Sequence, residues 1–308
     1  MDRTPLESLL LDRQPETLLL IPPPGNHGDT LIHTGLRKRL DALGVPYTRF
    51  GRERGVDVVD VVGDVTLTGA DYTNGRTLAR LALAAPLWVR YKLRGDFDTI
   101  YIHGGGSFND LWGGAVQAFR TATAMFDADV IVGPHSCLFE DTDPAALFRN
   151  VSNDVSLFCR ERYSYDAMRD ALADCPSVSV HLSPDTALYL DRSDLIAGEG
   201  TEDYTLLAFR SDQESVGSHA TPDLDGVKTV EEDISDTRDS LAGFVEAVAR
   251  ASRVYTDRLH VATLAVILQK PVTFYGNAYH KNRGVYEYSL SEYDRIEFVD
   301  PSAGTPDP

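Results

Sequence analysis

The stretch "RVYTDRLHVATLAVILQKPVTFYG", residues 253–276, sets a guanidinium and an imidazole, Arg258 and His260, at a turn between a predicted strand and a predicted helix. The first turn of a helix carries backbone N–H groups that have no partner within the helix, and beside a cation they make a site for an anion. Arg210 ends another predicted strand in the same half of the chain. Local pairing is the competing explanation. Asp257 would cap the helix with Arg258 as its ion-pair partner, and Asp212 with Glu214 would occupy Arg210. In the first half, "IHGGGSFNDLW" brings a strand ending at His103 into Gly104, Gly105 and Gly106, and "PGNHGD" follows an earlier strand. Glycine-rich loops between strand and helix let the backbone approach a phosphate or other ligand where no Cβ intervenes.

The elements that must hold these residues alternate along the chain. Strands are expected at residues 17–23, 45–50, 99–103, 129–132, 155–159 and 178–182, most of them leading through a glycine-rich or polar loop into a helix. Residues 30–43 have the spacing of an amphipathic helix with Asp29 as N-cap, and residues 77–93 have helical spacing broken by Pro86. This alternation predicts a parallel, doubly wound sheet with its ligand site at the carboxyl ends of the strands. An Asp-, Glu- and Gly-rich linker at 191–203 separates a first domain, 1–190, from a second, 204–308. The second is expected to hold a strand at 204–209, an acidic loop excursion at 211–239, a helix at 241–251 and the opening stretch. Its last elements, near 285–290 and 296–299, are expected to fold back on the first domain. No internal sequence repeat is visible.

Bulk composition narrows the function. With 29 basic and 47 acidic residues the formal net charge is -18, which argues against a nucleic-acid groove. Lys38, Lys92, Lys228, Lys270 and Lys281 are the whole lysine set. An acidic, lysine-poor surface suits high salt, where self-repulsion is screened, so a halophilic source is expected. No apolar run approaches the roughly 20 residues of a membrane-spanning helix, and the start of the chain lacks the basic and apolar regions of a secretory signal. A cytoplasmic protein is expected. Cys137, Cys159 and Cys175 are too scattered for a disulfide framework or a zinc site and read as small buried hydrophobes. No H-x-x-x-H pattern or carboxylate cluster has ligand spacing, so no metal is expected.

Read together, "GNHGDTLIHTGL", "IHGGGSFNDLW", "FCRERYSYD", "PDTAL", "AFRSDQES" and "TDRLHVATLAVILQKPV" resemble, in order and spacing over nearly the whole chain, the polysaccharide pyruvyl transferase family. The resemblance implies an α/β fold of two Rossmann-like doubly wound domains facing across a cleft, similar to GT-B glycosyltransferases. It implies transfer of the enolpyruvyl unit of phosphoenolpyruvate to two hydroxyls of one sugar, with release of phosphate and no cofactor beyond the donor. On that comparison Arg210, Arg258 and His260 bind the donor, since arginine's planar donors match phosphate and carboxylate.

General acid and base are both required, and His260, Asp29 and His103 are the candidates. Asp29 as a plain N-cap and His103 as a loop histidine held by a backbone carbonyl remain open beside those roles. Asn26, Asn109 and Asp110, with the three glycines, would hold the sugar, or make turns. Asp185 receives no role, and Arg160-Glu161-Arg162 reads equally as an interdomain salt bridge. The acceptor could be lipid-linked, which would bring the protein to the inner face of a membrane. Two other functions fit the same architecture: a glycosyltransferase using a nucleotide sugar, and a non-catalytic anion-binding protein. Oligomeric state is not encoded in anything visible here.

Overall fold

The computed structural model describes residues 3–23, 25–50, 52–53, 56–57, 88–195, 204–217, 219 and 221–300. Chain contacts divide them into two units, the first comprising 1–25 and 36–186 and the second 26–35 and 187–308.

In the first unit, β1 (Leu18–Ile21), β2 (Tyr47–Arg49), β5 (Thr99–Ile102), β6 (Asp129–His135), β7 (Val155–Cys159) and β8 (Val178–Leu182) form one sheet in the order β2-β1-β5-β6-β7-β8, every pairing parallel. A separate antiparallel pair is formed by β3 (Arg52–Glu53) and β4 (Val56–Asp57). β1, β5 and β7 are buried at every position, as expected of parallel strands covered on both faces. Most of the predicted stretches 56–62 and 77–93 lie outside the described residues, apart from β4 and a helix over 88–94.

The second unit repeats the winding. β9 (Thr205–Ala208), β10 (Thr229–Glu231), β11 (Arg253–Thr256), β12 (Val272–Tyr275) and β13 (Ile296–Val299) pair in the order β10-β9-β11-β12-β13, all parallel. In both units the second strand lies outside the first and the rest follow on the other side. The order therefore reverses beside the first strand, and that crevice is where open α/β sheets bind ligands. Between β11 and β12 the helix Leu259–Ile267 is apolar on nearly every side, and seven of its residues are buried. Only a helix enclosed all round tolerates that composition.

Three expectations are corrected. The excursion at 211–239 contains β10, an edge strand whose exposed, half-buried, exposed pattern hides it from a search for apolar runs. Residues 296–299 do not return to the first unit but form β13 beside β12. The segment 26–35 groups with the second unit rather than with 1–190, because Leu31 and Ile32 pack into the cluster formed by Leu206, Val254 and Leu264. Within the predicted linker, Arg192–Leu195 is a short helix and 196–203 falls outside the described residues.

Candidate functional site

Each unit gathers buried polar side chains at the carboxyl ends of its strands. In the second unit the reversal lies between β9 and β11, and the residues leaving those strands are Arg210 and Asp257-Arg258. Asp257 is fully buried. Its Oδ1 accepts the Arg210 backbone N–H at 2.8 Å and its Oδ2 accepts His219 Nε2–H at 2.9 Å. The His219 ring is stacked on Phe209, with centroids 4.6 Å apart. Asp257 thus ties the ends of two neighbouring strands together, a different task from the helix cap expected of it. The residue before the helix, Arg258, makes no side-chain cap.

The two arginines are brought together, and both are occupied. Arg210 donates from Nε and Nη2 to the two oxygens of Asp212 at 2.8 and 2.9 Å, and from Nη1 to Glu214 at 2.7 Å. Arg258 donates from Nε to Asp233 at 2.9 Å and from Nη2 to the same carboxylate, while its Nη1 reaches Asp212 at 3.0 Å. Glu214 also takes Lys281 and the Asn277 amide. The pairing of Arg210 with Asp212 and Glu214 weighed from sequence is therefore present. Arg258 pairs with Asp233 and Asp212 rather than with Asp257. Burial would raise the Asp212 pKa, but its bonds to Arg210, the Glu214 backbone N–H and nearby Arg258 hold it down at about 2.

His260, in the first turn of the helix Leu259–Ile267, packs against Gly28. A Cβ on Gly28 would come within 2.4 Å of His260 Nδ1, so this glycine is what lets the two segments approach. The helix expected at 30–43 begins three residues earlier, at His27. Asp29 is therefore not its N-cap but lies half-buried in its first turn, where a carboxylate complements the free N–H groups. Asn26 sits at the start instead, with Oδ1 accepting the Gly28 N–H at 2.9 Å. His27 Nε2 donates to the Arg238 carbonyl at 2.6 Å. Asn26, Gly28 and Asp29 thus belong to the unit that holds His260, not to the opposite domain.

The first unit's centre is drier. His103 follows β5 and is 3% exposed. Its Nδ1–H donates to the Gly104 carbonyl at 2.8 Å, which leaves Nε2 as a buried lone pair with no partner among the described residues. His135, at the end of β6, repeats the arrangement with the Gly133 carbonyl at 2.9 Å, and the two rings lie 5.5 Å apart. Burial lowers His103 to about 4 and holds His135 well below 6.5, so both are neutral at pH 7. The loop-histidine alternative describes His103 correctly as far as its Nδ1 goes.

Gly105 runs beside β6, donating to the Pro134 carbonyl at 2.9 Å and accepting from Ser136 at 3.0 Å, so the glycine loop extends the sheet. Its φ of 136° is open to glycine and to few other residues. Gly104 and Gly106 flank it, and the Gly106 carbonyl takes the Asn109 amide at 2.8 Å. Asn109 also accepts the Trp112 N–H at 2.9 Å and is 2% exposed, so it makes the turn rather than facing a ligand. Asp110 accepts the backbone N–H groups of Glu140, Asp141 and Thr142, and anchors one loop to another. Burial would raise its pKa, yet those bonds and one from the Thr142 hydroxyl leave it below the ordinary carboxylate value.

Arg160 and Asp185 form a buried pair at the ends of β7 and β8. Arg160 leaves β7 fully buried, donating from Nη1 to Asp185 at 2.7 Å and from Nε to Ser136 at 2.9 Å. Both residues sit within the first unit, so this is no interdomain bridge. The available signal was positional: each directly follows a strand or its Ser-Pro turn. Among the described residues, no group of three or more His, Cys, Asp or Glu is placed to hold a metal ion, and no helix is long and apolar enough to cross a membrane. The three cysteines are free and buried.

Two doubly wound parallel domains, each with buried polar residues at the carboxyl ends of its strands, define an α/β protein of the Rossmann-like class. The family model of the polysaccharide pyruvyl transferases matches residues 26–279, and the chain belongs to that family of transferases. Among solved structures, a protein described as uncharacterized from Klebsiella pneumoniae subsp. pneumoniae is similar over 97% of this chain and 99% of its own, at 22% identity and TM-score 0.67. The likeness is slighter to UDP-GlcNAc 2-epimerase of Methanocaldococcus jannaschii, with 13% identity, 92% and 88% coverage and TM-score 0.47. E. coli heptosyltransferase WaaC has 11% identity, 92% coverage of both chains and TM-score 0.40. A comparison with proteins of curated function finds no match.

Proposed function

We propose that this transferase moves the enolpyruvyl unit of phosphoenolpyruvate to two hydroxyls of one sugar in a glycan or glycan precursor. The observation that carries the reading is Asp212, a single carboxylate held by both Arg210 and Arg258. The two guanidiniums are therefore spaced to share one anion. Asp212 is also the most exposed carboxylate of the cluster, its side chain 24% accessible against 14% for Asp233 and 3% for Glu214. The donor's carboxylate or phosphate would take the place of Asp212, and Asp233 and Glu214 would keep the arginines in position.

In the reaction the methylene carbon of the enol gains a proton, the adjacent carbon is attacked by one hydroxyl oxygen, the bond to phosphate oxygen breaks, and a second hydroxyl closes the ketal. Of the two hydroxyl protons lost, one balances the new methyl group and the other leaves with phosphate. His260, beside Arg258, is assigned the proton transfer at the donor, and Asp29, on the segment packed against His260, the base at the hydroxyl. His103, neutral at pH 7, has a lone pair to accept a proton and none to give at Nε2. We read the reaction as cofactor-free and cytoplasmic, with a lipid-carried acceptor bringing the chain to the membrane's inner face. The acidic, lysine-poor composition we read as adaptation to salt, to be tested by whether the melting temperature rises from dilute buffer to molar salt.

The deciding experiment is phosphate release from phosphoenolpyruvate across a panel of sugar acceptors, with donor affinity measured for Arg210→Ala and Arg258→Ala. Each substitution should cost roughly 1.5–3 kcal/mol of donor binding, the range for hydrogen bonds to charged groups. Unchanged affinity in both, or no phosphate release with any acceptor, would sink the reading.

A further inference from the structure

One face of the first unit is charged against the trend of the chain. The helix over 88–94, with sequence WVRYKLR, has three cations and no carboxylate in a protein of net charge -18. Trp88 and Tyr91 turn inward onto Phe50, with ring centroids 4.6 and 4.9 Å away. Helical spacing then sends Val89 with Leu93, and Arg90 with Arg94, outward along adjacent strips. Leu93 is 81% exposed and Val89 49%, the two most exposed large hydrophobics among the described residues. Next to them lies a pocket of about 540 Å³ whose lining includes Arg37, Arg49 and Arg94, with Asp41 as the single carboxylate among the described residues. Tyr47 and Tyr91 line it as well. Arg37 Nε donates to the Tyr47 hydroxyl at 3.2 Å, and the Tyr91 hydroxyl donates to the Arg49 carbonyl at 2.9 Å.

We propose that this face docks on an anionic lipid bilayer, with Val89 and Leu93 entering the headgroup layer and a lipid phosphate seated among Arg37, Arg49 and Arg94. Charge complementarity selects the partner. A cationic strip suits any polyanion, but exposed aliphatic side chains beside it suit a surface with both phosphate and hydrocarbon. The overall charge does not forbid it. Screening at physiological salt confines each charge to about 8 Å, so the leaflet feels the near face and little of the acidic remainder. Each basic residue brought to such a surface strengthens partition roughly fivefold. The inference stands apart from the pyruvyl transfer reading, because binding is measured without turnover.

The test uses the full chain at about 0.1 M salt, where screening still acts over about 10 Å, sedimented with vesicles of phosphatidylcholine alone or mixed equally with phosphatidylglycerol. Sedimentation with the mixed vesicles only is expected, and it should fall as salt is added. Arg90→Glu/Arg94→Glu should reduce partition by well over tenfold. Leu93→Ser should reduce it severalfold without changing its salt dependence, and Arg120→Glu, exposed on another helix, should leave it unchanged. Circular dichroism confirms that each variant is folded. Absence of binding, equal binding to both vesicle types, or equal loss in Arg120→Glu would overturn the proposal. So would inorganic diphosphate binding at the three pocket arginines in a protein that ignores vesicles, which would make this a small-anion site.

Discussion

The two polar centres solve the same topological problem with opposite electrostatics. At the reversal of the second sheet, charges are crowded and paired: Arg210, Arg258 and Lys281 against Asp212, Glu214, Asp233 and Asp257. In the first unit the histidines are kept neutral by burial, and one ion pair, Arg160 with Asp185, is sealed at 1% exposure on each side. A sealed pair cannot exchange partners without leaving a charge stranded in low dielectric. A pair at the edge of solvent can. On the proposed function, the first centre is the rigid one and the second the one that exchanges a carboxylate for ligand.

The largest effect should come from breaking the sealed pair. Arg160→Ala removes the arginine from a carboxylate that is 1% exposed, and chemical denaturation should show a loss of about 3–5 kcal/mol. Arg258→Ala removes a partner from more accessible carboxylates and should cost clearly less stability while harming donor binding more. Equal stability losses would erase the distinction. Acid should single out the first centre next. His103 takes its proton near pH 4 when folded but near 6.5 when unfolded, so the unfolded chain binds more protons between those values. Stability should be complete above pH 6.5 and decline as pH falls toward 4, by about 3 kcal/mol from His103 alone. His135, lowered in the same direction, adds to it. A His103→Gln variant whose acid profile matches the parent's would refute this.

A smaller change tests the second centre's packing. Gly28→Ala drives a methyl group into the His260 imidazole and should cost about 1–3 kcal/mol, with turnover falling more than donor affinity. The least is expected of Asp212→Asn, which removes the charge that competes with the donor. Phosphoenolpyruvate should bind severalfold tighter, seen by calorimetry, and weaker binding would show Asp212 to be support rather than placeholder.

What the sequence discloses follows from how local each cause is. Val155–Cys159 and Val178–Leu182 are readable to the residue because each is a short run bounded by turn or charged residues. β6 looks as if it stops at Val132 because Gly133-Pro134 follows. The strand continues to His135 through a register shift, and irregular pairing is where proline is tolerated. That hid His135. The partners of Arg210 are two and four residues away and were legible, whereas Arg258 finds Asp233 from 25 residues off, a distance only the folded sheet closes. The allegiance of residues 26–35 was likewise invisible. Their amphipathic pattern says that Leu31 and Ile32 are buried, but not in which core.

The helix His27–Leu43 begins among residues of one unit and ends among those of the other. The chain therefore passes between the units at 25–26, at 35–36 and again at 186–187, and the second domain is not a contiguous piece of the gene. A fragment starting at 187 would lack Leu31 and Ile32 from its core and Gly28 from beside His260. Domain shuffling by a single crossover at 187 would leave that half without these contacts.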